Sequence, residues 1–131
     1  MIHKACPVAL HPDGAPLRIP VFEHPQAGLQ LVKGTIEPGE DPTRAAAREL
    51  FEESGLETRA AIPMGTAQIN DQTWHFALCR LAPPVRDRWK HFCKDDAKNG
   101  EGHLFKFHWH DINAPLPQPY QQALDWIRSQ L

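Results

Sequence analysis

Three glutamates near the middle of the chain have the types and spacing that most clearly suit chemistry. Glu49, Glu52 and Glu53 stand at positions i, i+3 and i+4, so in a helix their side chains share one face within about one turn. Carboxylates this close repel one another, and stability alone gives no reason to place them so. Divalent magnesium or manganese would remove the repulsion, because hard cations bind carboxylates together with substrate phosphates. The spacing therefore indicates a metal site.

The charge distribution is open to two interpretations. The chain has 131 residues and a net charge of −2, but residues 37–57 hold seven acidic against two basic side chains, which leaves the remainder basic. An acidic segment in a basic body suggests a cation site beside an anion-binding surface. A solvated acidic helix face is the alternative, and charge alone favours it.

The glutamates need a helix and a turn to position them. The Pro38-Gly39 pair has the order that a type II turn requires. A helix is predicted over 42–54, because Asp41 can cap it, Pro42 suits its first position and Gly55 supplies a left-handed stop. Arg48 lies within the predicted helix and could pair with Glu40 of the turn. This contact would hold the turn and the helix in register.

The prolines divide the rest of the chain into further elements. Proline accounts for 13 residues, about twice the usual share, and it marks boundaries because it cannot lie inside a helix or a central strand. Together these windows predict one mixed α/β domain over residues 1–131. Strands are predicted over 2–10, 17–23, 29–36, 64–69, 73–81 and 103–110, and a terminal helix begins at Pro119.

Composition excludes several classes of protein. The hydrophobic fraction is 41% and the charged fraction 23%, as in a globular domain. No apolar run is long enough for a signal peptide or a membrane span. The cysteines are odd in number and widely spaced, which predicts reduced thiols without a disulfide partner in a cytoplasmic protein. They are Cys6, Cys79 and Cys93.

The segment from Gly34 to Leu56, GTIEPGEDPTRAAARELFEESGL, resembles the signature of a known family. It is similar to the Nudix box of the MutT-like hydrolases: glycine, five residues, glutamate, seven residues, then Arg-Glu-apolar-any-Glu-Glu-any-Gly-apolar. Every specified place is filled without departure. The residues that fill them are Gly34, Glu40, Arg48, Glu49, Leu50, Glu52, Glu53, Gly55 and Leu56.

The resemblance implies a fold and an activity. The fold is an α+β, α/β/α sandwich with a mixed sheet between helices, in which the box at 34–56 forms loop–helix–loop. The activity is hydrolysis of a nucleoside diphosphate linked to another moiety, with Mg²⁺ as cofactor or Mn²⁺ as its substitute. Clustered carboxylates suit this reaction, because phosphoryl transfer needs charge neutralised on the phosphate and a positioned water.

The resemblance also implies a role for each matched residue. The metal ligands would be Glu49, Glu52 and Glu53. Either Glu49 or Glu52 would deprotonate the attacking water, since the family varies in where it keeps its base. Glu40 and Arg48 would complete the catalytic set as its structural pair, and the Gly34 backbone would approach the metal or phosphate.

Residues outside the conserved spacing of the box are weaker candidates. Lys33 could bind a substrate phosphate or be a solvated lysine at a strand end. Several relatives of the resembled family that act on dinucleoside polyphosphates carry Lys-Gly at this place, which slightly favours a polyphosphate substrate. Asp95, Asp96 and Glu101 could lie on a loop at the rim, and Glu101 is the preferred further metal ligand. His108 and His110 share a strand face and could in principle bind zinc, but packing histidines are the favoured interpretation.

The stretch 86–98 combines five bases with aromatic residues. It could stack a nucleobase and attract phosphates. Alternatively, Trp89 and Phe92 could form the buried side of a short helix, which is the favoured interpretation.

Three functions follow, in order of preference. The first is a Mg²⁺-dependent pyrophosphohydrolase, for which RNA 5′ ends, dinucleoside polyphosphates, oxidised nucleoside triphosphates and nucleotide sugars are open as substrates. The second is a catalytically silent module that senses a nucleotide. Nucleic-acid binding is third, because a pI of 6.4 argues against a large phosphate-backbone footprint. Many relatives dimerise, so a homodimer is left open.

Overall fold

The computed structural model describes residues 1–94 and 102–131, where the chain forms eight strands and two helices. Asp95, Asp96 and Glu101, the candidate rim ligands, lie outside the described residues. The strands are β1 (Ile2–Val8), β2 (Arg18–His24), β3 (Gly28–Leu31), β4 (Gly34–Thr35), β5 (Thr58–Ile69), β6 (Gln72–Leu81), β7 (Arg88–Cys93) and β8 (His103–Asp111), and the helices are α1 (Pro42–Ser54) and α2 (Tyr120–Gln130).

The strands divide between two four-stranded sheets. The first has the order β4-β1-β6-β5 and is mixed, because β1 and β6 run parallel while the other pairs are antiparallel. The second has the order β3-β2-β8-β7 and is antiparallel throughout. The predicted α+β class is confirmed.

The first sheet lies between the two helices because its side chains alternate along each strand. On one face, Ala5 packs against Ala45 and Ala46 of α1. On the other face, Cys6 belongs to a larger cluster that includes Leu124 and Ile127 of α2. Small alanines let α1 lie close to the sheet, and the predicted α/β/α sandwich is confirmed.

The second sheet holds α1 from another side. Leu50 of α1 is 1% exposed and packs in a cluster with three phenylalanines of this sheet. Phe22 and Phe105 stack with their ring centroids 4.3 Å apart. The helix is therefore fixed by apolar contacts to both sheets, which leaves its remaining face for the glutamates.

The residues predicted to begin and end α1 make the expected capping contacts. The Asp41 carboxylate accepts a hydrogen bond from the Arg44 amide at 3.0 Å. Gly55 has φ +77° and its amide donates to the Phe51 carbonyl at 2.8 Å. Before the helix, Gly39 has φ +76° and the Glu40 amide donates to the Glu37 carbonyl at 3.0 Å, which closes the predicted turn.

Two strand predictions need correction. The strand predicted over 29–36 is two strands, β3 and β4, which pair in different sheets on either side of the buried Val32. The alternation of side chains along a strand does not show which strand is its partner, so the change from one sheet to the other was not predicted. The strand predicted over 64–69 begins earlier, at Thr58, and its register shifts between Pro63 and Gly65. Such an irregularity accommodates a proline, whose missing amide hydrogen would interrupt a regular ladder.

The short helix favoured within 86–98 is wrong, because residues 88–93 form strand β7. Trp89 and Phe92 are three apart, so on a strand they face opposite sides. Trp89 stacks on its cross-strand partner Phe107 at 5.1 Å between centroids, whereas Phe92 is 56% exposed. The backbone hydrogen bonds of this segment are made with β8. The local sequence pattern gives no sign of that partner.

The three cysteines are buried and form no disulfide. Within the described part of the chain, no helix has the length and apolar character needed to cross a membrane.

Replacement of Gly55 by alanine should lower the free energy of unfolding by about 1–2 kcal/mol, because a side chain is strained at positive φ. The new Cβ would also lie 3.1 Å from His91 Nδ1. Gly14→Ala is the matched control, since Gly14 has φ +83° and open space around it. Urea denaturation should show a larger loss for Gly55→Ala, and equal losses would contradict crowding by His91.

Candidate functional site

A pocket of about 360 Å³ brings α1 together with both sheets. One wall is acidic and comes from α1, while β1, β3, β4, β7 and the β3–β4 connection supply the other walls. The lining side chains are Lys4, Gln30, Lys33, Gly34, Thr35, Glu49, Glu52, Glu53 and Cys93. The structure thus brings the three glutamates of the sequence analysis into one pocket with Lys33 and Gly34.

Arg48 ties the turn before α1 to the acidic wall. Its Nε and Nη2 donate to the two carboxylate oxygens of Glu40 at 2.6 and 2.9 Å. Its Nη1 donates to Glu49 Oε1 at 2.8 Å and to Glu52 Oε2 at 3.0 Å, and Nη2 also reaches the Thr35 carbonyl at 3.3 Å. A guanidinium has five N–H donors, so these bonds use its full capacity.

The same contacts shift the ionisation of the pair. The hydrogen bond from Arg48 holds the pKa of Glu40 below its usual value, and the hydrogen bond to Glu40 raises the pKa of Arg48. Glu40 also accepts from the Glu37 amide at 3.1 Å, so its carboxylate closes the turn that carries it. Turn and helix are therefore joined by a charged, bidentate contact, which is stronger than a neutral hydrogen bond.

Gly34 is required by space rather than by backbone conformation. A Cβ at this position would overlap the Glu49 carboxylate. Because glycine has no side chain, the carboxylate can lie directly against strand β4. This contact places a backbone of the first sheet next to the acidic wall.

Two aromatic rings lie beside the Lys33 ammonium group. The Lys33 Nζ lies 5.6 Å from the centroid of Trp74 and 5.9 Å from that of Tyr120. Burial, and then the charge of Glu53, raises the pKa of Tyr120 to about 12, so its hydroxyl stays neutral. Lys33 is thus a partly buried cation that lines the pocket.

The three carboxylates are not arranged as a complete set of metal ligands. Among residues 1–94 and 102–131, no group of three His, Cys, Asp or Glu side chains is arranged to hold a metal ion. Arg48 engages one oxygen of Glu49 and one of Glu52. His108 and His110 have ring centroids 5.8 Å apart, and no third metal-ligating side chain joins them among the described residues.

Strand β7 fixes the end of α1 at the pocket. The Trp89 indole donates to the Ser54 carbonyl at 2.8 Å, and His91 Nε2 lies 3.1 Å from the Glu52 carbonyl. The last carbonyls of a helix have no partner within it, so these side chains complete the helix end.

The sequence analysis missed four lining residues, Lys4, Gln30, Thr35 and Cys93. Strand pairing and sheet packing bring them to the glutamates across long sequence separations. Of these four residues, only Lys4 stands out in the sequence, because a charged residue there directly precedes a largely apolar run.

Comparisons with known proteins agree on the family. A family model described as the NUDIX domain matches residues 17–127. No curated protein shows a significant match. Among solved structures, one from work on MutT of Aliivibrio salmonicida and Vibrio cholerae is 17% identical, with a TM-score of 0.68 and coverage of 99% of this chain and 98% of that chain.

Two further structures have the same fold. The MutT Nudix hydrolase of Burkholderia pseudomallei is 19% identical, with a TM-score of 0.66 and coverage of 99% and 97% of the two chains. A Nudix hydrolase of Nitrosomonas europaea is 17% identical, with a TM-score of 0.66 and coverage of 98% and 90%.

The Glu40–Arg48 contact predicts a pH-dependent contribution to stability. Glu40→Gln should lower the free energy of unfolding by about 1.5–3 kcal/mol at pH 7, the scale of a hydrogen bond to a charged group. Because the pKa of Glu40 is lowered by folding, the contribution is complete above the usual pKa and disappears as the pH falls through the folded-state value.

Urea denaturation between pH 8 and pH 3 measures this difference. The exposed Glu37→Gln in the same turn is the control and should change stability little at any pH. A difference between wild type and Glu40→Gln that stays the same size from pH 8 to pH 3 would contradict the role given to the ionised carboxylate.

Proposed function

This chain belongs to the Nudix family of hydrolases, and we propose that it is a Mg²⁺-dependent pyrophosphohydrolase acting on a nucleoside diphosphate linked to another moiety. Hydrolysis of pyrophosphate bonds is general to the family. The observation that carries the proposal is the pocket in which Glu49, Glu52 and Glu53 face Lys33. Carboxylates and an ammonium together suit a metal-bound phosphate chain.

The donor chemistry fits a hard divalent cation. Glu49, Glu52 and Glu53 offer only carboxylate oxygens, which magnesium and manganese prefer. Because these carboxylates are not yet convergent, binding would require side-chain rotation on a fixed helix. A bound Mg²⁺ would supply charge neutralisation on the phosphoryl oxygens and lower the pKa of a coordinated water.

The protein's own side chains perform the remaining steps of the reaction. Arg48 bonds one oxygen of Glu49 and one of Glu52, and these bonds would give way to metal contacts as the two side chains rotate. One of these two takes the proton from the water that attacks phosphorus. Lys33 binds a phosphate oxygen, and the bare backbone at Gly34 allows the phosphate or metal to approach.

We also infer the setting of the reaction. Residues 1–131 act as one Nudix domain, supported by the family match over 17–127. The buried, unbridged thiols support a reducing cytoplasmic location. The partner is a small nucleotide, or the 5′ end of an RNA as substrate, and a homodimer stays a prediction that sedimentation can test.

Glu52→Gln and Glu53→Gln should each lower kcat by at least about a hundredfold, because the amide keeps the shape but loses the ligand charge. Thermal unfolding should change little. Glu57→Gln is the matched control, since Glu57 is exposed just beyond the same helix. Wild-type turnover in either pocket variant would overturn the assignment.

Removal of divalent metal should abolish phosphate release, and Mg²⁺ or Mn²⁺ should restore it. The assay uses a panel of dinucleoside polyphosphates, nucleoside triphosphates, nucleotide sugars and triphosphorylated RNA, with both products identified. Binding without any product would instead favour the nucleotide-sensing module.

A further inference from the structure

A second cavity, which we call the distal cavity, lies at the other end of the first sheet from the pocket of the three glutamates. Its volume is about 630 Å³, within the range of roughly 300–1,000 Å³ found for small-molecule sites. It forms where the chain leaves the carboxyl ends of the parallel strands β1 and β6. Leu10 in its wall follows Lys4 of the glutamate pocket along the chain, and the intervening residues correspond to about 20 Å of extended backbone. Within the described part of the chain, no residue lines both sites.

The wall of the distal cavity is mainly apolar. Leucine, proline and valine side chains from the end of β1, from β6 and from the connection after β6 make up most of it, and they include Leu10, Leu78, Leu81, Pro83 and Val85. Among the described residues, none of the side chains that line it is acidic, whereas the other pocket has three glutamates. Apolar surface that faces water favours an apolar ligand, because binding removes that surface from the solvent.

Two arginines add positive charge to this apolar wall. The register of β5 against β6 shifts after Thr58, so that Arg59 is an extra residue in β5, and the next residue, Ala60, lies opposite Arg80. A bulge of this kind re-aims a side chain relative to the regular alternation of a strand, and both arginines line the cavity. Neither side chain makes a hydrogen bond or an ion pair with another described residue. An anion can therefore bind them without first breaking an ion pair.

A histidine contributes a buried polar group to the same wall. His11 is 5% exposed, and its Nδ1 accepts a hydrogen bond from the Asp13 amide at 3.1 Å. The hydrogen of the neutral ring therefore lies on Nε2. Nε2 has no hydrogen-bond partner among the described residues, since Asp87 Oδ1 is 3.8 Å away. A buried donor without a partner is costly, so a ligand oxygen that reaches Nε2 gains from this contact.

We propose that the distal cavity is a second binding site of this protein, for a carboxylate with an aliphatic body of medium length. The aliphatic body lies against the leucines and Val85, and the carboxylate is held by Arg59 and Arg80. A guanidinium matches a carboxylate with two parallel hydrogen bonds. A nucleotide fits this wall less well, because its described lining has no phenylalanine, tyrosine or tryptophan ring on which a base could stack.

Calorimetry with sodium decanoate tests the proposal on the full chain. Decanoate should bind, whereas acetate, which lacks the apolar body, and 1-decanol, which lacks the charge, should bind at least about tenfold more weakly. Arg80→Gln should weaken decanoate binding about tenfold, because a charge-assisted hydrogen bond is lost, and should leave 1-decanol binding unchanged. Arg88→Gln removes an exposed arginine outside the cavity and is the matched control. Absence of decanoate binding, or equal affinities for Arg80→Gln and Arg88→Gln, overturns the proposal.

A second measurement locates the bound decanoate. Amide resonances of Leu10 and Leu81 should shift in NMR spectra on titration, and that of Gly34 should not. Val85→Trp, which fills the cavity, should abolish binding, and circular dichroism confirms that each variant is folded. Shifts centred on Gly34 would place decanoate in the glutamate pocket, and shifts scattered over the surface would show detergent-like adsorption. Either result contradicts the proposal.

Discussion

The guanidinium of Arg48 is the contact on which the geometry of the pocket depends. It bonds both oxygens of Glu40, one oxygen each of Glu49 and Glu52, and the carbonyl of Thr35. One planar group thereby joins the turn, the helix and the edge strand of the first sheet. Arginine suits this position because its rigid fork of donors can satisfy several acceptors at once, whereas lysine offers a single point charge.

The helix that carries Arg48 is fixed by apolar contacts on the other sides. Alanines bring it close to the first sheet, Leu50 anchors it to the second, and β7 side chains complete its last carbonyls. Core contacts of this kind leave little freedom for the helix to shift or rotate. The glutamates can therefore change their rotamers for a ligand while the backbone beneath them stays in place.

The pocket gathers like charges on both of its sides, which folding alone does not favour. Three glutamates share one helical face, and Lys4 and Lys33 lie together across from them. Aromatic rings beside Lys33 and the Thr35 hydroxyl beside Lys4 offset part of this cost. Such an arrangement is expected where a cation and a phosphate chain bind between the two sides.

Local chemistry determined much of the candidate site from the sequence alone. The turn at Gly39, the cap at Asp41 and the stop at Gly55 each act within a few residues, so their patterns predicted the helix and the shared face of its glutamates. Tertiary structure alone decided that residues 29–36 divide between two sheets, that 88–93 form a strand over the helix end, and that Lys4 joins Lys33. The physical reason is that a strand is stabilised by hydrogen bonds to a partner far away in the chain, and the local pattern carries no record of which partner that is.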